Sequence, residues 1–299
     1  MTFSRDPECF LSASRLTWAV SQFSHETRET RSKVDNIYSM LSVQRSSKVL
    51  DKVLNWLVTT DPSPNHNNAC DLHEPRTGTW LTDSKEYKEW KNCATRFLWL
   101  HGIPGAGKTV LFSYICGDIS QQCKAYAPKA AGYAYYYCYF RRAQDETPHL
   151  LRWFVSQLCR QLKQIPDEVL RLYEEGVQPS VKQLKGVLTT VSALFPKVYL
   201  LIDALDESTE RYKLLGFLEE LVQDPSLQHI QVLAMSREEL DIRLSLEDIS
   251  VGISMSNSWI DKDIQLFLGQ QMRNAAFKTW SRELCLKVET ALVKGAKGM

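Results

Sequence analysis

Nowhere in these 299 residues is there an apolar run long enough to cross a membrane. The N-terminal stretch MTFSRDPECFLSASR carries Asp6 and Glu8 and has no apolar h-region, which argues against a secretory leader. Charge of one sign is missing as well: Lys and Arg total 36, Asp and Glu 35, and they are scattered rather than massed. A net charge of +1 leaves no basic field, so nucleic acid drops out as a partner class. The eight cysteines contain no CxxC pair or other metal-ligand spacing, which excludes the familiar zinc patterns. Several lie inside apolar patterns, where a free thiol packs as a small hydrophobe, and the chain reads as cytoplasmic. There is no internal repeat and no low-complexity tract.

What is present is ordinary in bulk and concentrated in one place. Hydrophobic content of 44% and charged content of 24% suit a globular chain of one large or two modest domains. Of its 13 glycines, three fall within Gly102-Ile103-Pro104-Gly105-Ala106-Gly107-Lys108-Thr109, a complete P-loop entered by the apolar run Phe97-Leu98-Trp99-Leu100. The pattern predicts a buried strand, a glycine turn exposing successive backbone N–H groups, and a helix whose positive dipole end faces the same point. Glycines at 102, 105 and 107 admit backbone angles a Cβ disfavours and let phosphate oxygens come close. On this reading residues Gly102 to Val110 cradle the phosphates, Lys108 reaches the β- and γ-phosphates, and the Thr109 hydroxyl holds Mg²⁺.

Around this motif the periodicity predicts helices over 12–42, with a polar interruption at 25–33, and a short amphipathic helix carrying Val49, Leu50, Val53, Leu54 and Leu57. Asp61-Pro-Ser-Pro-Asn-His-Asn-Asn68 reads as a loop. From Phe97 strands and helices alternate: an aromatic strand at 131–140, helices at 148–164, 166–175 and 180–195, a strand at 198–202, a helix at 212–222, and strands at 230–235 and 249–255. Helices at 258–276 and 279–294 close the chain. Alternation of this kind predicts an α/β fold with a central, mostly parallel sheet flanked by helices. The expected organisation is a helical segment at 1–45, a linker and pre-P-loop segment at 46–95, the NTPase core at 96–256, and the start of a helical subdomain at 257–299.

The strand Val198–Ile202 ends in Asp203, with Asp206 and Glu207 just beyond, which is the pattern of a Walker B element. Asp203 is expected to approach Mg²⁺ opposite Thr109, and Glu207 or Asp206 to activate the attacking water. At the end of the next strand, Ser236-Arg237 offers a cation to the transferring phosphoryl group; a helix cap at Ser236 with a solvated Arg237 is the plain alternative. Arg141-Arg142 reads as a solvated loop rather than the arginine-bearing lid of a kinase.

An extra strand between the P-loop and the Walker B strand, plus an acid after it, resembles the P-loop branch that includes AAA+ and STAND ATPases. The Ras-like branch is unlike it: there is no DxxG at 203–206 and no NKxD anywhere. Over residues 46 to 299 the chain resembles the NACHT domains of fungal NOD-like receptors, the nephrocystin-like N-terminal NTPase modules. The carriers are Val49–Trp56 with Asp61-Pro-Ser-Pro-Asn-His-Asn67, Glu74-Pro-Arg-Thr-Gly-Thr-Trp80, Phe97–Thr109, Leu200–Glu207 and Met235-Ser-Arg237. The resemblance implies that Thr77 and Gly78 lie near base and ribose, with a plain turn as the alternative. It implies ATP or GTP with Mg²⁺, ATP being favoured, slow hydrolysis, and a signalling switch in which nucleotide exchange opens the module for self-association. Family members continue past a Gly-Met such as Gly298-Met299 into a winged helix and repeats, so the chain is expected to be a truncated form. The rival expectation is a non-catalytic scaffold, stabilised by nucleotide, that recruits protein partners through its N-terminal helices.

Overall fold

The computed structural model describes residues 31, 48–127, 129–256, 258–272, 277 and 280–296. The helices expected over 12–42 fall outside these, residue 31 excepted. The chain divides into Met1–Lys52 and Val53–Met299. Residues 48–57 are helical and are labelled α1. In the second unit, Val53, Leu54 and Leu57 are buried as their spacing predicts.

Three short helices precede the sheet: α2 (Ser63–Asp71), α3 (Thr79–Asp83) and α4 (Lys85–Lys91). The first corrects the loop expected at 61–68. Proline at the start of α2 is compatible with a first turn, and the Asp61 carboxylate accepts the Ser63 N–H at 2.9 Å. Tertiary contacts then outweigh the poor propensity of Asn-rich sequence: His66 stacks on Tyr135 at 4.5 Å and bonds the Tyr137 hydroxyl at 2.9 Å.

The core alternates β1 (Phe97–His101), α5 (Lys108–Ala125), β2 (Gly132–Tyr137), α6 (Glu146–Leu162), α7 (Asp167–Glu174), α8 (Val181–Ser192), β3 (Val198–Asp203), α9 (Arg211–Gln223), β4 (Ile230–Ser236), α10 (Leu240–Leu246) and β5 (Val251–Ser254). Helices α11 (Ser258–Gln271) and α12 (Arg282–Ala296) follow. The five strands form one sheet in the order β2-β3-β4-β1-β5, with every pairing parallel. This is the α/β architecture the alternation predicts. The strand ends are level, with His101 beside Ser236 and Tyr137 beside Asp203, so the loops that carry the charged residues emerge along one edge. Alternate side chains Leu98, Leu100, Tyr199, Leu201, Leu233 and Met235 join α4 and α5 in one core cluster, while Leu200 and Ile202 are buried on the opposite face.

The aromatic strand is shorter than the sequence suggests and lies at the sheet edge. There α6 supplies Gln157 and Gln161, whose amides bond the backbone N–H and C=O of Tyr135 and Tyr133 at 2.6–3.3 Å. A pair of glutamines thus satisfies an edge that would otherwise expose unpaired groups. Beyond Tyr137 the chain turns through a single 3₁₀ turn, Phe140–Arg142. Arg142 is not in a solvated loop: its Nη1 donates to Tyr137 O at 2.9 Å and lies 3.3 Å from the buried Glu146, which also accepts the Tyr136 hydroxyl at 2.5 Å. Cys116, Cys123, Cys138 and Cys159 are buried as packing residues, whereas Cys70 and Cys93 are exposed.

Helix α4 is a structural member of the core. Trp90 is fully buried edge-on to Tyr199, and the Tyr87 hydroxyl donates to Asp118 of α5 at 2.7 Å. Replacing Trp90 by Ala is expected to cost about 3–5 kcal/mol, read as a lower urea midpoint at unchanged slope. A loss below about 1 kcal/mol would show α4 to be a peripheral appendage.

Candidate nucleotide-binding site

The loop between β1 and α5 is built as the motif requires, with one difference of cause. Gly105 and Gly107 have φ of 81° and 77°, in the left-handed region open to glycine. Gly102 does not; a Cβ there would lie 2.9 Å from the Met255 Cβ, so it is close packing against the end of β5 that demands glycine. Gly107 caps α5 without any side-chain hydrogen bond, leaving the first N–H groups of an 18-residue helix facing the loop. Lys108 curls back so that Nζ donates to the carbonyls of Gly102 and Ile103, each at 2.8 Å. Partial burial lowers its pKa, opposed chiefly by the nearby Asp206 and Asp203.

Across a cavity of about 300 Å³ stand Asp203, Asp206, Glu207 and Arg237, facing Pro104 to Val110. Gly102 and Ile103 form the root of the loop and act through their carbonyls; they are not part of this cavity wall. Asp203 is buried at the end of β3, and Ala204 follows in the left-handed region at φ 58°, turning the chain so that Asp206 and Glu207 also reach the cavity. Burial pushes the Asp203 carboxyl up to about 7, with hydrogen bonds from the Thr109 side chain and the Ala204 backbone opposing. Its Oδ1 is buried with no hydrogen-bond partner. A hard divalent cation satisfies such an oxygen, and the neighbouring Thr109 hydroxyl supplies a second oxygen donor, so the residues present fit Mg²⁺.

The two acids after Asp203 differ in what they hold. Asp206 Oδ1 accepts the Arg237 backbone N–H at 2.9 Å and its Oδ2 lies 3.2 Å from Arg237 Nε, so both oxygens are engaged by one residue. Asp206 is 5% exposed and Arg237 48%, which leaves the guanidinium anchored at Nε while its outer face meets the cavity. Glu207 Oε2 accepts the Phe140 N–H at 3.1 Å. Ser236 caps no helix: it ends β4, its Oγ accepts from Trp99 Nε1 at 2.9 Å, and α10 begins only at Leu240.

A second, larger cavity of about 720 Å³ adjoins the first and shares Gly105, Ala106, Gly107 and Val110 with it. Thr77 and Gly78 stand in its wall with Trp80, opposite Ile260, Ile264 and Phe267 of α11. An apolar chamber opening onto a charged phosphate cradle has the size and polarity for a base and ribose beside their phosphates. Sequence reasoning passed over Asp263, whose carboxylate accepts the Gly78 N–H at 2.7 Å inside this chamber. Its signal was available: Asp263 lies on the same helical stripe as Ile260, Ile264 and Phe267, where a charge is out of place.

Fold and site together define the class: a P-loop NTPase module in which β4 separates the Walker B strand from the P-loop strand. Residues 76–237, more than half of the chain, match the family described as Nephrocystin 3, N-terminal, and the chain belongs to that family. Its module is thus of the NACHT/STAND-like type that the P-loop and Asp203–Glu207 segments resemble. Among curated proteins it is similar to the vegetative incompatibility protein HET-E-1 of Podospora anserina, 26% identical over 218 residues. That alignment takes in 67% of this chain and 15% of the relative, so the chain spans a small part of that protein's length. Among solved structures it is similar to the Walker-type ATPase PABY2304 of Pyrococcus abyssi, with 13% identity, a TM-score of 0.46, and coverage of 77% of this chain and 68% of that one. It is likewise similar to the ADP form of the Aeropyrum pernix ORC2 protein, with 16% identity, a TM-score of 0.44, and coverage of 74% and 58%.

Because Asp206 holds Arg237 at two points, the pair should behave as one unit. Asp206→Ala and Arg237→Ala are each expected to slow nucleotide turnover by about tenfold or more, with the double variant no slower than the worse single. Strictly multiplicative losses in a double-mutant cycle would show the two residues acting independently.

Proposed function

We propose that this chain is a nucleotide-operated signalling switch with slow, Mg²⁺-dependent hydrolysis of a nucleoside triphosphate, ATP being favoured. The observation that carries the reading is the pairing of the two cavities around one glycine loop. One side presents Lys108, Thr109 and the α5 N-terminus to phosphates; the other presents Asp203, Asp206–Arg237 and Glu207.

The residues divide the work by what they already hold. The loop amides from Gly105 to Thr109, together with Lys108, bind and orient the phosphate chain. Thr109 and Asp203 would hold Mg²⁺, which would supply neutralisation of the phosphate charge. Asp206, with both oxygens on Arg237, is occupied as an anchor, and it sets the guanidinium where charge develops on the transferred phosphoryl group. That leaves Glu207 as the acid that orients and deprotonates water. Hydrolysis alters what occupies the phosphate cavity, which shares Gly105, Ala106, Gly107 and Val110 with the chamber walled by α11 and α12, and that shared loop offers a switch its route of transmission. The likeness to a vegetative incompatibility protein supports a signalling role, with self-association of the triphosphate-bound form as its output.

Lys108→Ala is expected to weaken nucleotide binding by about a hundredfold or more, read by calorimetric titration, since the phosphate charge loses its closest cation. Glu207→Gln should retain binding while turnover falls by about 10²-fold or more, leaving triphosphate bound after purification. Undiminished binding in the first variant would refute the phosphate site. Undiminished turnover in the second would return the water-activating role to another group, and turnover absent from the wild-type chain would favour the non-catalytic scaffold.

A further inference from the structure

The apolar chamber is enclosed by segments far apart in sequence. One wall is the Thr77–Gly78 turn that precedes the sheet; the opposite wall is α11, through Ile260, Ile264 and Phe267. A polar bond joins them, from the Gly78 N–H to Asp263 Oδ2 at 2.7 Å, across 185 positions of chain. The turn that offers this N–H has little freedom. Gly78 sits at φ +79°, and a Cβ there would come within 2.8 Å of Leu111 and 3.2 Å of Tyr114, both on the P-loop helix α5. His73 fastens the same turn: its Nε2 bonds Thr77 O at 3.2 Å, and its ring stacks on Tyr114 at 4.9 Å and 11°. The turn is thus keyed to α5, and what its amide holds is keyed to α5 as well. Burial raises the pKa of Asp263, with the Gly78 N–H opposing.

We propose that Asp263 is the positioning residue of the base half of the site: its carboxylate, by accepting the Gly78 N–H, seats α11 against the Thr77–Gly78 turn and so forms the walls that grip the nucleoside of a nucleoside di- or triphosphate. This rests on the nucleotide reading of the site and adds a residue that reading lacks. A hydrogen bond to an ionised carboxylate is stronger than a neutral one, and removing the carboxylate leaves a backbone N–H in an apolar chamber without its acceptor. The phosphate cradle at Gly105–Thr109 is held by other bonds, those of Lys108 and the α5 first turn, so its grip is independent of Asp263. Loss of the tie therefore falls on the nucleoside half of a ligand and spares the phosphate half.

The test is calorimetric titration of the full chain with Mg-ATP, Mg-GTP and Mg-tripolyphosphate, the last carrying the same phosphates without base or ribose. Asp263→Ala is expected to weaken nucleotide binding by about tenfold or more and Asp263→Asn by less, because the amide keeps a carbonyl acceptor but no charge. Both variants should bind tripolyphosphate as tightly as the wild type, which also reports that they are folded. Unchanged nucleotide affinity in Asp263→Ala, or an equal loss for nucleotide and tripolyphosphate, would overturn the proposal. A wild-type chain that binds neither ligand would instead overturn the nucleotide reading on which it rests.

Discussion

A carboxylate buried at the end of a strand has to be answered by a proton or a cation, and the site is arranged around that demand at Asp203. The demand is not met by protein donors alone: Thr109 and the Ala204 backbone contribute hydrogen bonds, yet Oδ1 keeps no partner. Two further acids, Asp206 and Glu207, stand in the same cavity against two cations, Lys108 and Arg237. Each cation is already drawn toward the protein, Lys108 to loop carbonyls and Arg237 to Asp206. The local charge therefore suits a divalent cation brought in with phosphates, in which the cation would answer Asp203 and the phosphates would meet Lys108 and the α5 amides.

Sheet order makes this arrangement possible. With β4 between β1 and β3, the P-loop and the Walker B acid stand one strand apart, on either side of a single cavity. The residue following the C-terminal end of β4 then faces that cavity, which is why Arg237 falls at the site while Arg141 and Arg142, after the edge strand, do not. The edge strand is finished differently, by glutamine side chains of α6 in place of a further strand. Rigidity at the loop comes from behind it: α4 and α5 share one core cluster with β1, β3 and β4, and Met255 of the β5 end packs directly on Gly102.

The larger chamber adds a feature a bare phosphate cradle lacks. Its far wall belongs to α11 and α12, so part of its enclosure comes from a stretch of chain remote from the glycine loop on its other side. Membership of the Nephrocystin 3 N-terminal family covers the span from Arg76 to Arg237 and so includes the turn at Thr77–Gly78 but not α11. The two meet across the chamber, joined by the hydrogen bond from the Gly78 N–H to Asp263.

Much of the site was legible in residue order. The P-loop, the apolar run into it, and the Asp203-Ala-Leu-Asp-Glu207 segment could be read because each places its chemistry through residues adjacent in the chain, where backbone geometry follows from local sequence. The parallel α/β sheet was legible for the same reason, from alternating periods of two and 3.6 residues. Locality misled in other places: Asp61–Asn68 has the composition of a loop but is helical from Ser63, because His66 packs on Tyr135 and Tyr137, seventy residues away. Gly102 looked like a backbone-angle glycine and is a packing glycine. What sequence alone determined was the presence of the glycine loop and the acidic segment and the order in which strands and helices follow along the chain. Only the tertiary structure decided that Asp206 serves Arg237 and that Asp263 meets Gly78. Those pairings depend on groups distant in the chain arriving within about 3 Å of each other, and no local pattern encodes that approach.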